Sequence, residues 1–253
     1  PNGFIGKRHL RSAMEQVRRE PMVPGRPLAF SVVRVPFFLE PGYPEAEEFE
    51  ETNRTRLVRK WGGPRQWAQQ KDRHDLKGRA LDAGITDKIN LDRLASNTLK
   101  SHRLVQWVSR TRGLDASEKL YDALNVLHFI GGRKLNDMSM LVAAAAEHAG
   151  IDEAATRTFL DSNDGRAQIE SALELAHRFG IHSIPKFIID GELLLDGAAN
   201  ADQHLSVFRE IERRGKTSGR AMFAEALGIS PEVLAGGYAP CAAEAGGAAP
   251  SAA

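Results

Sequence analysis

The sequence predicts an α/β chain in which a small sheet-bearing unit, assembled from the two ends, is interrupted by a long all-helical insertion. Three observations predict it. Ile169, Ala172, Leu173, Ala176 and Phe179 keep the spacing of one buried helix face up to Gly180, where a left-handed cap is wanted; Phe187-Ile188-Ile189, Asp190-Gly191 and Leu193-Leu194-Leu195 then read as strand, tight turn at two-residue-hairpin distance, strand. Near the N-terminus, Leu10, Ala13, Met14 and Val17 mark a helix from Lys7 to Arg19; Pro21, Pro24 and Pro27 break it, and Leu28–Val35 is a strand candidate ended by Pro36. Between Glu45 and Gly165 the pattern is helical almost throughout, with no strand signal.

Within the insertion, Phe49, Leu57 and Trp61 suggest one helix, Gly62-Gly63-Pro64 a break, and Trp67–Leu81 another helix ending near Gly84. Asn97 is placed to cap a helix carrying Leu99, Leu104, Trp107 and Val108, with Gly113 at its end. Asp115, Asp137 and Asp152 open three more, the first with Leu120, Ala123, Leu124 and Leu127 on one side. Arg54, Arg56, Arg59 and Lys60 read as a solvated helix face opposite the acidic run Glu45–Glu51. Asn200–Arg214 is the last amphipathic helix, striped by Leu205, Phe208 and Ile211. A short helix is expected around Met222–Leu227, and from Ala235 the Ala/Gly/Pro/Ser composition is too poor in apolar groups to hold order. The expected units are residues 1–44 with 166–215, a helical insertion at 45–165, and a flexible tail at 216–253.

Composition narrows the function classes. The chain has 253 residues, 42% hydrophobic and 26% charged, which suits one globular unit or a domain with a large insertion. A net charge of +1 gives no electrostatic case for nucleic acid or an anionic membrane, and the apolar runs are too short to span a bilayer. The single cysteine, Cys241, excludes an internal disulfide framework and points to a reducing, cytoplasmic setting; in its Ala/Gly-rich surroundings it reads as an incidental exposed thiol. The eight histidines show no His-Glu-x-x-His or Cys-plus-His spacing, so no metal is expected. No nucleotide-binding glycine motif and no Gly-x-Ser-x-Gly are present.

The segment before the first strand of the hairpin carries the most information. Pro185 cannot donate to a ladder, so it sits at the strand's start or on an edge, and X-Pro is where a cis bond is cheapest. By pattern alone this reads first as an ordinary edge strand opened by a trans proline, since few prolines are cis. Gly180-Ile-His-Ser-Ile-Pro-Lys-Phe-Ile-Ile-Asp-Gly191, followed by Asp196-Gly197-Ala198, resembles the closing segment of thioredoxin-fold proteins of the DsbA/FrnE-like group. Pro1-Asn-Gly-Phe-Ile-Gly-Lys-Arg-His-Leu10 resembles the start of that group's active site, where Cys-Pro-aromatic-Cys is followed by an aromatic, Ile, Gly, Lys and Arg.

The resemblance implies a thioredoxin-like fold with a helical insertion, its first strand truncated ahead of Pro1. It also implies a cis-proline loop whose Ile184 backbone faces the helix start and pairs with an extended substrate or with glutathione. The first cysteine of such a site, held as thiolate by the helix dipole, attacks a disulfide and the second resolves it. Here the first position falls before Pro1 and the second is Gly3, which leaves a monothiol at most. Pro1, Asn2, Gly3 and Phe4 are therefore the catalytic candidates, with Ile184 and Pro185 for substrate binding. Asn97, Ser101 and His102 resemble a motif of the insertion overhanging the site; read as residues alone, Asn97 is equally an N-cap and His102 an interhelical donor.

Three readings follow from the resemblance: a thiol–disulfide oxidoreductase; a glutathione-dependent transferase or isomerase like the kappa-class transferases and 2-hydroxychromene-2-carboxylate isomerases; or a redox-inactive peptide-binding module. No tightly bound cofactor is expected, glutathione being a candidate co-substrate. The expected partner is a thiol- or disulfide-bearing protein or small molecule.

Overall fold

The computed structural model describes residues 1–238. Cys241 and the end of the Ala/Gly-rich tail lie outside them. In chain order the elements are α1 (Asn2–Arg19), β1 (Glu51–Thr52), α2 (Asn53–Lys60), α3 (Pro64–His74), α4 (Leu76–Asp82), β2 (Leu94–Ala95), α5 (Leu99–Phe129), α6 (Met138–Ala149), α7 (Glu153–Asp161), α8 (Arg166–Arg178), β3 (Lys186–Ile189), β4 (Leu193–Asp196), α9 (Ala201–Arg214) and α10 (Pro231–Gly236).

Local chemistry explains most of the ends. Asp137, Asp152 and Asn200 each accept a backbone N–H three residues on, and Asn200 with Gln203 completes a reciprocal capping box. Asp75 takes a left-handed conformation (φ 33°) and splits the expected Trp67–Leu81 helix into α3 and α4. Gly113 (φ 89°, ψ 173°) kinks α5 where two separate helices were expected to meet. Thr98, not Asn97, is the cap residue of α5; Asn97 Oδ1 instead accepts from Leu99 N at 2.8 Å.

β3 and β4 form an antiparallel hairpin, Ile189 opposite Leu193 and Lys186 opposite Asp196. Its loop is the three residues Asp190–Glu192 rather than two, with positive φ at Asp190 and Gly191. The expected strand Leu28–Val35 joins no ladder. A cavity of about 480 Å³ is lined by both Leu28–Phe37 and Ile184–Asp190, and among the described residues β3 pairs with β4 alone. Both still alternate as a two-faced layer. Leu28, Phe30, Val32 and Ile189 pack with α1 and α9; Val33 and Ile188 pack with α8 and with Phe223, Leu227 and Ile229.

The insertion is not wholly strandless. β1 and β2 pair over two residues, Glu51 with Ala95 and Thr52 with Leu94. Its main core joins α5, α6 and α7 around Leu104, Leu120, Leu141 and Leu160. The basic cluster on α2 also departs from expectation. Arg59 does meet the acidic run at Glu51, 2.9 Å away, but Arg54 pairs with Asp92 and Arg56 turns inward to Glu40. Residues 216–238 are not the free tail that composition suggests. No helix forms at Met222–Leu227, yet Phe223, Ala224, Leu227 and Ile229 are buried, and Tyr238 N donates to Phe30 O.

α1 is fixed to both parts. Phe4 and Ile5 pack with Ala80, Ile85 and Ile89 of the insertion, while Ala13, Met14 and Val17 face α9. Gly6 permits the closest approach, since a Cβ there would lie 2.9 Å from Phe187 Cζ. No helix among the described residues is long and apolar enough to cross a membrane.

Candidate active site

The site is organised by the first turn of α1. Its leading N–H groups have no acceptor within the helix, Pro1 supplies no side-chain cap, and the turn holds no acidic residue, so the positive end of an 18-residue helix is left uncompensated. Gly3 faces open space: a Cβ built there meets nothing within 4 Å. Ile184 is 38% exposed and joined to the buried Pro185 by a cis bond, with Pro185 O accepting from Gly197 N at 2.9 Å. Gly3 and Ile184 both line the 480 Å³ cavity and a second one of about 790 Å³.

The second cavity also holds Pro1 and Asn2, and the insertion supplies its walls: Leu57 and Trp61 from α2 and its end, Trp67 from α3, Leu76 and Arg79 from α4, Ile89 and Arg93 from the segment before β2. The short β1/β2 ladder has a consequence for the site. It carries Asn53 N to Arg93 O at 2.8 Å and so aligns the two side chains. Arg93 then donates to Asn53 Oδ1 (3.1 Å), Asn90 O (3.0 Å) and His128 Nε2 (3.1 Å), with its guanidinium over the Phe129 ring. His128 Nδ1 lies 2.8 Å from Arg133 O. A carbonyl only accepts, so Nδ1 carries the proton and Nε2 keeps the lone pair that Arg93 needs. Burial, and then Arg93, lower the His128 pKa to about 3, which keeps the ring neutral; burial, and then Arg56, lower Arg93 to about 10, which leaves it charged at neutral pH.

The structure brings Pro1, Asn2, Gly3 and Ile184 to one opening, with Pro185 beneath it on the side of the smaller cavity. Phe4 points away, 1% exposed and stacked on Phe129 at 5.6 Å. Asn97 Nδ2 donates to Tyr43 O at 2.7 Å, and Ser101 Oγ to Thr98 O. His102 Nε2 sits 3.3 Å from Phe37 O, edge-on to Phe38, and lines only the smaller cavity; burial lowers its pKa to about 4. Asn97 and His102 thus hold the insertion to the loop after Leu28–Val35. Among the described residues, no three His, Cys, Asp or Glu are grouped to hold a metal ion.

A profile of the DSBA-like thioredoxin domain matches residues 2–209, most of the chain. The chain belongs to the DSBA-like thioredoxin domain family. Among solved structures it is similar to a probable DsbA oxidoreductase of Streptomyces coelicolor, with TM-score 0.70 and 24% identity, covering 86% of this chain and 87% of that one; at this identity the likeness concerns the fold. A search of curated proteins gives no match. In this DSBA-like domain the helical insertion supplies Arg56, Arg79 and Arg93 to the cavity at the helix start. Sequence reasoning read Arg56 as part of a solvated face and missed Arg93, whose placing depends on partners far along the chain, 40 positions for Asn53 and 35 for His128.

Proposed function

We propose that this DSBA-like domain is a thiol–disulfide oxidoreductase working through a thiolate at the start of α1, one residue ahead of Pro1 in the family pattern. The observation that carries the reading is the uncompensated first turn of α1, which shares one cavity with the exposed Ile184 and the buried cation Arg93. A thiolate there is stabilised by the helix end and the guanidinium, and becomes a better leaving group. Its attack on a substrate disulfide forms a mixed disulfide and releases one substrate thiolate. Gly3 cannot complete the second exchange, so a separate thiol such as glutathione must: its thiolate attacks the substrate sulfur, forms a disulfide with it and releases the enzyme thiolate.

The basic lining and Gly3 also favour a second reading, a glutathione-dependent transferase or isomerase needing no resolving cysteine. The residue at the position ahead of Pro1 separates the readings: cysteine supports the first, serine the second, an inert residue a binding module. With cysteine there, insulin reduction is expected only when glutathione is supplied, together with a mixed disulfide detectable by mass spectrometry. Glutathione binding without reduction would favour the second reading, and neither would leave the binding module. The compartment follows the chemistry: a reducing, cytoplasmic setting suits a monothiol that depends on glutathione.

A further inference from the structure

The lining of the 790 Å³ cavity has an excess of positive charge. Seven lysines and arginines line it against three aspartates. The decisive group is Arg93, 5% exposed, whose three hydrogen bonds all go to neutral acceptors: an amide oxygen, a backbone carbonyl and a neutral imidazole. A desolvated guanidinium is compensated best by a carboxylate in bidentate geometry, and among the described residues no carboxylate pairs with Arg93. Arg56, the nearest other buried cation, has a carboxylate in Glu40, which Arg59 also approaches at 3.8 Å. Arg79 on α4 is half-buried in the same wall. Around these charges the walls are apolar and aromatic, with Trp61, Trp67, Leu57 and Ile89. Such a lining fits an anionic head on a short apolar stem.

We propose that this cavity selects low-molecular-weight disulfides and thiols bearing a carboxylate, with Arg93 and Arg79 meeting the carboxylate and the sulfur end lying between Gly3 and Ile184. The inference rests on the placing of the reactive site at the start of α1 and names its substrate class. It concerns binding, so it is measurable whether or not exchange occurs.

Three disulfides of one skeleton supply the test: 3,3′-dithiodipropionate, bis(2-hydroxyethyl) disulfide and cystamine, which are dianionic, neutral and dicationic. Calorimetric titration of the full chain is expected to rank them in that order, the dianion at least about tenfold tighter than the neutral compound, as one desolvated charge-assisted contact implies. Added salt should narrow the gap. Arg79→Gln should weaken the dianion about tenfold and leave the neutral disulfide unchanged. Arg93→Gln should do so more strongly; if it does not fold, Arg79→Gln decides. Equal affinity for all three, no binding of the dianion, or an Arg79→Gln variant identical to the parent would overturn the proposal. The charge ranking without thiol–disulfide exchange defeats the oxidoreductase reading and leaves this one standing; exchange at equal rates for all three does the reverse.

Discussion

Lys7 and Glu118 stand 111 positions apart and meet at 3.0 Å, each with a side chain only 2% exposed. Arg34 grips the other edge of the same carboxylate through Nε and Nη2 at 2.5 and 2.8 Å, and Asp122 adds a second acceptor to Lys7 at 2.7 Å. Burial alone would raise the Glu118 carboxyl, but Arg34 and Lys7 hold it down at about 2. One carboxylate thus joins α1, the extended segment and the second half of α5.

Removing that carboxylate leaves the Arg34 guanidinium with too little compensation and drives Lys7, which burial already lowers to about 7, toward its neutral form. Glu118→Gln is expected to cost about 3–5 kcal/mol. Urea unfolding checks it; a loss under about 1 kcal/mol would mean that Asp122 and water replace the missing charge.

Acid should destabilise the fold in two stages. His102 and His128 are held neutral in the folded chain, at about 4 and 3, against an unfolded value near 6.5. Between those values the unfolded state binds more protons, so the stability these rings contribute is full above about pH 6.5 and falls as pH drops, by about 1.4 kcal/mol per pH unit for each ring. Glu118 adds its own loss between about 4.5 and 2. Chemical denaturation at stepped pH values measures the slope. His102→Asn should remove one ring's share of it, and an unchanged slope would show that this ring is protonated in the fold.

The approach of α1 to the hairpin tolerates no side chain at Gly6. Gly6→Ala puts a methyl 2.9 Å from Phe187 Cζ and 3.4 Å from Ala198 Cα, and is expected to cost about 1–3 kcal/mol despite alanine's better helix propensity. Pairing it with Phe187→Leu should recover part of the loss. A thermal melt in which Gly6→Ala equals or exceeds the parent would contradict the close approach.

The helix start should accept a cysteine and activate it. At Gly3 the backbone is helical and nothing lies within 4 Å of a new Cβ, so Gly3→Cys should fold as well as the parent. Its thiol should ionise at least about one unit below the ordinary value near 8.5. Alkylation rate against pH reads this directly, and a midpoint at or above the ordinary value would remove the electrostatic basis of the proposed chemistry.

The parts of this fold set by neighbours in sequence were legible from it. Asp137, Asp152 and Asn200 announce their helices because a cap is a contact over three residues, and β3 and β4 are declared by their own residues. Distant partners decided the rest. Leu28–Val35 has the composition of a strand, but a ladder needs a second edge, and among the described residues none pairs with it. Ala221–Tyr238 resembles a tail in composition, yet four well-spaced large side chains, Phe223, Leu227, Ile229 and Tyr238, suffice to seat it. At the site, Gly3 and Ile184 could be singled out by their motifs; Arg93 could not, because an isolated arginine in a loop gives no sign of the amide and imidazole that will receive it.

The bend at Gly113 ties these long-range contacts together. Ahead of it, Gln106 Nε2 holds the Arg34 carbonyl at 2.5 Å; beyond it, Glu118 holds the Arg34 guanidinium. The two arms of one helix therefore grasp a single residue at its main chain and its side chain. Any opening of the elbow pulls Arg34 in two directions, and the angle at one glycine sets where the edge of the extended segment stands relative to α1.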